Sequence, residues 1–367
     1  MARAQRAPDR SRKRGGAHAK KAQRRMWSGF GAIASALVTM AFVALGAAFL
    51  FITEVNRPGP ERAEAASLVI PRGASLTAIG RTLEEDGFIR NAVVFRIAAQ
   101  IFAGGETMQA GEYEIPARAS MRAIIDQLTD GRSLLHPITV AEGLTSATVI
   151  DILARSDVLT GAVPEVPPEG ALLPETYAVP RGTERAALLR QMMQAHDETL
   201  AELWRGRARN LPISTPEEAV ILASIVEKET GVAEERPRVA AVFVNRLRRG
   251  MPLQSDPTII YGVCKQLPQR CVNGRLVNET TGRQRGIRQS EIEMDTGYNT
   301  YRIPRLPPTP IANPGRASLE AVLNPPTTNE LFFVADGTGG HVFAATVAEH
   351  NRNVARWREI ERQAAAQ

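Results

Sequence analysis

The chain is poor in the residues that most catalytic and metal chemistry uses. Its 367 residues include two cysteines, Cys264 and Cys271, and five histidines. Two cysteines cannot make a four-ligand zinc site of their own, and no histidine stands near them. His18, His136, His196, His341 and His350 are scattered, without metal-ligand spacing. No phosphate loop or dinucleotide fingerprint occurs, and no serine sits in a nucleophile elbow. Neither a cofactor nor a metal is therefore expected. The cysteines are seven positions apart, a spacing that permits a disulfide outside the cytoplasm but does not demand one.

Acidic residues are nearly missing from the start of the chain. Residues 1–25 hold ten Lys and Arg against one acid, Asp9. Taking that +9 from the chain's formal +6 leaves the rest near −3, so a body that binds nucleic acid is not expected. Charge then disappears altogether from Trp27 to Ile52, 26 positions. About 20 apolar residues span a bilayer, and the apolar region of a cleaved signal peptide is shorter. The pattern predicts a basic cytoplasmic tail over 1–26 and a retained transmembrane helix over 27–53. The basic flank stays inside, and everything after Glu54 lies across the membrane.

A polar linker rich in chain breakers follows, over 54–66. Then the sequence repeats. Ile70-Pro71-Arg72-Gly73-Ala74-Ser75-Leu76 leads to Ile79 and Leu83, and Ile115-Pro116-Ala117-Arg118-Ala119-Ser120-Met121 leads to Ile124 and Leu128. A weaker third copy runs from Val140 through Gly143 and Val149 to Leu153. Each reads as strand, turn and amphipathic helix, with Gly111 to Ile115 as the second strand. These units contain no clustered acid, and they suit a spacer or a glycan-binding module equally.

The second half is organised around Ile221 to Gly231. Thr215 caps a helix, Pro216 suits its first position and Glu218 completes a capping box. Ala219 to Val226 carries no charge, so this helix should be buried, and Gly231 offers a left-handed stop. Glu229 follows Ile225 and Leu222 on the bulkiest apolar face, whereas Glu227 points elsewhere. Burial and the negative helix end both raise the pKa of Glu229, and a carboxyl held protonated near neutral pH is what a general acid requires. The competing reading is a solvated helix end.

Further helices are expected over 184–206, 236–249 and 346–364, with a hairpin between Leu331 and Phe343. Asn245 interrupts the apolar run of the second and needs a partner. Residues 251–315 read as irregular and polar. Leu253-Gln254-Ser255-Asp256-Pro257-Thr258 and Tyr298-Asn299-Thr300-Tyr301 offer the amides, hydroxyls and rings that sugar recognition uses.

Taken with Leu173-Pro174-Glu175-Thr176-Tyr177, Val242 to Leu247, Ile311 to Gly315 and Phe333 to Gly337, these stretches resemble the endolytic murein transglycosylases of the MltG/YceG-like family. The resemblance implies an α+β protein with an N-terminal transmembrane helix. It implies a LysM-like β-α repeat subdomain over 67–160 and a mixed α+β catalytic domain over 161–367. It further implies an inner-membrane protein facing the periplasm, with peptidoglycan glycan strands as substrate and peptidoglycan synthases as candidate partners. Strands would be cut between N-acetylmuramic acid and N-acetylglucosamine, leaving a 1,6-anhydromuramic end and terminating elongation. The family's essential glutamate maps onto the Glu227/Glu229 pair, and the facing argument selects Glu229. Asn245, Gln254, Asp256, Tyr298, Asn299 and Thr300 are the expected substrate contacts. The alternatives are a hydrolytic muramidase, with Asp256 as partner to Glu229, and a non-enzymatic peptidoglycan-binding scaffold. The stretch from Cys264 to Arg288 and the basic tail are both longer than the family pattern.

Overall fold

The computed structural model describes residues 15–61 and 65–365. Of the tail expected over 1–26, residues 1–14 lie outside the described residues, as do 62–64 of the linker. The architecture is mixed α+β, and the compact units divide at Leu134/Leu135.

The first unit begins with the long helix α1 (Gly15–Asn56). Its stretch Ala34–Asn56 has mean hydropathy 2.3 and no residue of its apolar window is buried by protein. Twenty-three helical residues rise about 35 Å, enough for a hydrocarbon core of about 30 Å. The stretch ends three residues beyond the expected 27–53, and it fits a single-pass membrane anchor. Near the end of the stretch Val55 enters a core shared by β1 (Ala66–Ile70), α2 (Leu76–Glu85), α3 (Ala92–Phe102), β2 (Gly111–Ile115) and α4 (Met121–Asp130). β1 and β2 pair antiparallel, with Leu68 opposite Tyr113.

The repeat is visible atom by atom. Ser75 accepts from the Ala78 amide and Ser120 from the Ala123 amide, both at 3.2 Å. Thr145 does the same for Thr148 at 3.3 Å, at the start of the third copy's helix. Two residues before each cap the backbone turns left-handed, at Gly73 (φ 75°), Arg118 (φ 59°) and Gly143 (φ 73°). Arg118 holds a conformation that suits glycine, at a cost on the order of 1 kcal/mol.

The second unit contains β3 (Leu135–Thr139), α5 (Ser146–Arg155), β4 (Leu159–Thr160), β5 (Thr176–Pro180) and β6 (Thr183–Glu184). β3 pairs antiparallel with β5, and β4 parallel with β6. The boundary expected at 160/161 thus falls inside this unit, because β3 finds its partner strand after that point. Helices α6 (Arg185–Arg205), α7 (Pro216–Glu229) and α8 (Arg236–Arg248) follow. Next come α9 (Asp256–Gln266), the hairpin β7 (Cys271–Val272) and β8 (Arg275–Leu276), and α10 (Gln289–Ile292). The chain closes with α11 (Arg316–Leu323), β9 (Phe332–Ala335), β10 (His341–Ala344) and α12 (Val347–Ala365).

Helix α7 is the centre of the main core. Every residue from Ala219 to Val226 is buried, among side chains of α6, α8 and α11. Each of Leu222, Ile225 and Val226 removes enough apolar surface to be worth about 1.5–3 kcal/mol. Thr215 accepts from the Glu218 amide at 3.2 Å, and the Glu218 carboxylate accepts from the Ser214 amide at 2.5 Å. The helix stops earlier than expected. Thr230 turns extended at φ −133°, so Gly231 supplies no left-handed stop.

Residues 251–315 are more ordered than their polarity implies. Ser255-Asp256-Pro257 opens α9, with Pro257 in the first turn. Asn273 and Gly274, both at positive φ, form the two-residue turn between β7 and β8. Cys264 and Cys271 are joined by a disulfide with Cα atoms 5.5 Å apart, which ties this hairpin to the end of α9.

Candidate active site

The end of α7 opens into a cavity of about 370 Å³. Glu229, the last helical residue, lines it together with Gln254 and Asp256, Arg246 from α8, Tyr301, Phe332 and Phe333 from β9, and His350 from α12. Glu229 is half-buried: it reaches the cavity, while protein on its other sides withholds water. That burial pushes its pKa up to about 7, and the neighbouring Asp256 charge adds to the rise. The Ser255 hydroxyl and the Arg246 guanidinium pull the other way. Ser255 Oγ is buried and has no hydrogen-bond partner among the described residues, so it acts on the carboxyl as a nearby dipole rather than through a formed bond.

Arg246 builds the cavity floor. Its guanidinium donates to the carbonyls of Leu331 (2.7 Å), Leu253 (2.6 Å) and Pro252 (3.2 Å), and to Gln254 Oε1 (3.3 Å). One buried cation thereby joins α8, the loop before α9 and the residue that leads into β9. Gln254 sits at φ 54°, a left-handed conformation uncommon for such a residue and the kind of strain that gathers at functional sites. Asp256 starts α9, where the helix dipole favours negative charge, and its Oδ1 accepts from the Tyr301 hydroxyl at 2.7 Å. Tyr301 is held neutral to high pH by burial and by that carboxylate. His350 stacks on Phe332 with ring centroids 5.1 Å apart. Its buried Nδ1 has no partner among the described residues, and burial lowers its pKa.

Glu227, two residues before Glu229, faces a different neighbourhood. Its Oε2 accepts from the Gly315 amide (3.0 Å) and the Ser318 hydroxyl (2.8 Å), and its Oε1 lies 3.4 Å from Arg236. It anchors the start of α11 and is fully occupied in doing so.

Of the expected substrate contacts, the cavity brings Gln254 and Asp256 to Glu229. The other four do not line it, because their hydrogen bonds serve the framework. Asn245 donates to the carbonyls of Thr328 (2.9 Å) and Glu330 (3.0 Å), holding the segment before β9. Tyr298 accepts from Lys265 at 2.9 Å and bonds Thr309 at 2.7 Å. Asn299 donates to the carbonyls of Ile292 and Met294, both at 2.8 Å. Thr300 accepts from the Ser255 amide at 2.9 Å and bonds the Thr258 hydroxyl at 2.8 Å. Tyr301, Arg246 and His350 take their places on the cavity. Tyr301 and Arg246 lie within stretches that carry the family resemblance, whereas nothing in the sequence connects His350 to Glu229.

A carboxyl poised to hold or release a proton near neutral pH, with an aromatic wall and a strained amide beside it, can carry general acid and base chemistry on a polar ligand. The YceG-like family model matches residues 68–356, which include every residue that lines the cavity. The chain belongs to the YceG-like family. The endolytic murein transglycosylase of Bacillus subtilis (strain 168) is 28% identical over 340 residues, covering 84% of this chain and 89% of that protein. A protein of the same name from Streptococcus pneumoniae serotype 2 is 28% identical over 370 residues, covering 88% of this chain and 64% of the relative. A crystal structure of a yceG-like protein from Listeria monocytogenes is 26% identical with a TM-score of 0.48, covering 79% of this chain and 99% of that one.

Proposed function

We propose that this protein is an endolytic murein transglycosylase with Glu229 as its catalytic acid and base. The observation that carries the reading is the Glu229 carboxyl, half-buried on a cavity with its pKa pushed to about 7, in a chain whose relatives bear that activity in their names. Protonated Glu229 gives its proton to the glycosidic oxygen between N-acetylmuramic acid and N-acetylglucosamine as the bond to the anomeric carbon breaks. The muramic acid 6-hydroxyl then attacks that carbon and returns a proton to Glu229. A 1,6-anhydro end forms, no water is consumed and the residue is ready for another turnover. One carboxyl suffices, since nothing but the substrate's own hydroxyl is activated.

In this reading Gln254 and Asp256 contact the glycan, Phe332 and Phe333 face its apolar surfaces, and Arg246 fixes the floor. The first two repeats after the anchor form a LysM-like glycan-binding part, and the catalytic part extends from Leu135, where β3 joins β5. The anchor sits in the inner membrane with the basic tail cytoplasmic and the catalytic part periplasmic, where synthases and growing strands meet it. Cleavage there terminates strand elongation. The presence of Asp256 on the same cavity favours a hydrolytic muramidase as the second reading, because hydrolases pair two carboxylates across the bond.

Digestion of purified glycan strands by the detergent-solubilised protein tests the proposal. Strands should shorten without new reducing ends, since an anhydro end does not reduce. Reducing ends appearing with every cut would establish the hydrolase, and no shortening would exclude both.

A further inference from the structure

A second cavity, about 580 Å³, lies in the same compact unit. Its walls come from the turn and cap of the third repeat (Gly143 to Thr148), the last turn of α7, the start of α9 and the disulfide-tied β7–β8 hairpin. Two pairs of chain neighbours separate it from the first cavity. Lys228 lines this one and Glu229 the other; Pro257 lines this one and Asp256 the other. Consecutive Cα atoms are about 3.8 Å apart, so at both points the residues that line the two recesses are direct chain neighbours. The hairpin tip closes on the repeat: a Cβ placed at Gly274 would stand 3.5 Å from Thr145 Cγ2.

Among the described residues no carboxylate lines this cavity, whereas Lys228, Arg275 and Arg285 do. Arg285 is already spent, donating to both oxygens of Glu291 at 2.8 and 2.6 Å. Lys228 donates to the Gly143 carbonyl at 3.1 Å, and an ammonium has two further protons to give. Arg275 reaches Gln284 Oε1 at 3.4 Å. Neither has a carboxylate partner among the described residues. Burial lowers the Lys228 pKa and the Arg275 charge lowers it further, while Glu227 draws it back. Both cations are solvent-exposed at a recess whose remaining wall is largely apolar, with Leu144, Ile260, Tyr261 and Ile311, and their like charges repel each other. An anion between them would relieve that repulsion.

We infer that this cavity binds the acidic peptide carried by muramic acid in peptidoglycan, with Lys228 and Arg275 pairing with its carboxylates and the apolar wall taking its small side chains. The inference rests on the function proposed above. A glycan placed with its scissile bond at Glu229 has the peptide-bearing sugar beside the end of α7, and the side chain next to Glu229 in the chain then receives the peptide.

The test compares full-length wild type, Lys228→Gln and Arg275→Gln on two substrates: glycan strands with their peptides and strands stripped of them by an amidase. Thermal melts of each variant show that it is folded. The wild type should have the lower KM on peptide-bearing strands. Each substitution should raise that KM roughly 3–10-fold, as the loss of one charge-assisted contact does, and bring the KM ratio of the two substrates towards one. Arg275 lies away from Glu229 in sequence, so its variant separates peptide binding from disturbance of the acid. Equal KM changes on both substrates, or a wild type indifferent to the peptide, would overturn the inference. A wild type inactive on both substrates would refute the proposed function itself.

Discussion

Replacing Glu229 with Gln removes a titrating proton from a half-buried site while keeping the side chain's size. With its pKa raised from an ordinary 4.5 to about 7, the carboxyl weakens the fold wherever it must ionise. Below 4.5 the native and unfolded chains both hold the proton, and the group contributes nothing. Between 4.5 and 7 the unfolded chain releases the proton while the native state keeps it, so stability falls as pH rises. Above 7 both are ionised and the full penalty persists. A rise of that size corresponds to about 3 kcal/mol at ~1.4 kcal/mol per pH unit, and water entering from the cavity reduces it to roughly 2 kcal/mol. At ~2–4 °C per kcal/mol, Glu229→Gln should melt about 4–8 °C above wild type at pH 8 and level with it near pH 4. Strand cleavage should fall by ~10²–10⁴-fold, and wild-type activity should decline as pH climbs through 7. Thermal melts across this range, run beside strand digestion, check both. A melting difference that does not change with pH would refute the burial argument, and a folded, active Glu229→Gln would refute the catalytic role.

Glu227→Gln should behave in the opposite way. It weakens the contacts to Gly315, Ser318 and Arg236, costs ~1–3 kcal/mol in a denaturant melt and leaves most activity at temperatures where the protein stays folded. Cys264 and Cys271 should resist thiol labelling until reduced, and replacing both with Ser should cost ~2 kcal/mol, as loss of a short closed loop does; prompt labelling of native protein would contradict the bond. A reporter fused after Gln367 should be active outside the cytoplasm alone, and cytoplasmic activity would reverse the proposed orientation.

What could be read from the sequence followed from how local its cause was. Helix α7 was legible because Thr215, Pro216 and Glu218 specify its start and an unbroken apolar run specifies its burial. The repeats were legible because a left-handed turn and a hydroxyl cap recur at fixed offsets, even where Arg118 replaces glycine. Helix α9 was not, since Ser255-Asp256-Pro257 spells a turn and a helix start in the same letters. The β7–β8 hairpin carried the usable signal Asn273-Gly274, but only one short strand lies on each side of it.

The site divides in the same way. Glu229 could be picked out by helix facing, and Gln254 and Asp256 by their polar turn. Asn245, Tyr298, Asn299 and Thr300 bind the framework instead, because a long irregular segment must satisfy its buried backbone groups with side chains. Arg246 reaches the cavity from α8, which packs directly on α7, and His350 comes from α12, about a hundred residues further along the chain, which is brought to Glu229 by its packing on β9.

The most direct test of the account is the mass of the cleavage products formed in water labelled with heavy oxygen. If Glu229 activates the substrate's own 6-hydroxyl, the new muramic ends are anhydro, lighter than hydrolytic ends by one water, and carry no label. Labelled, reducing muramic ends would show that water is the nucleophile and would contradict the account.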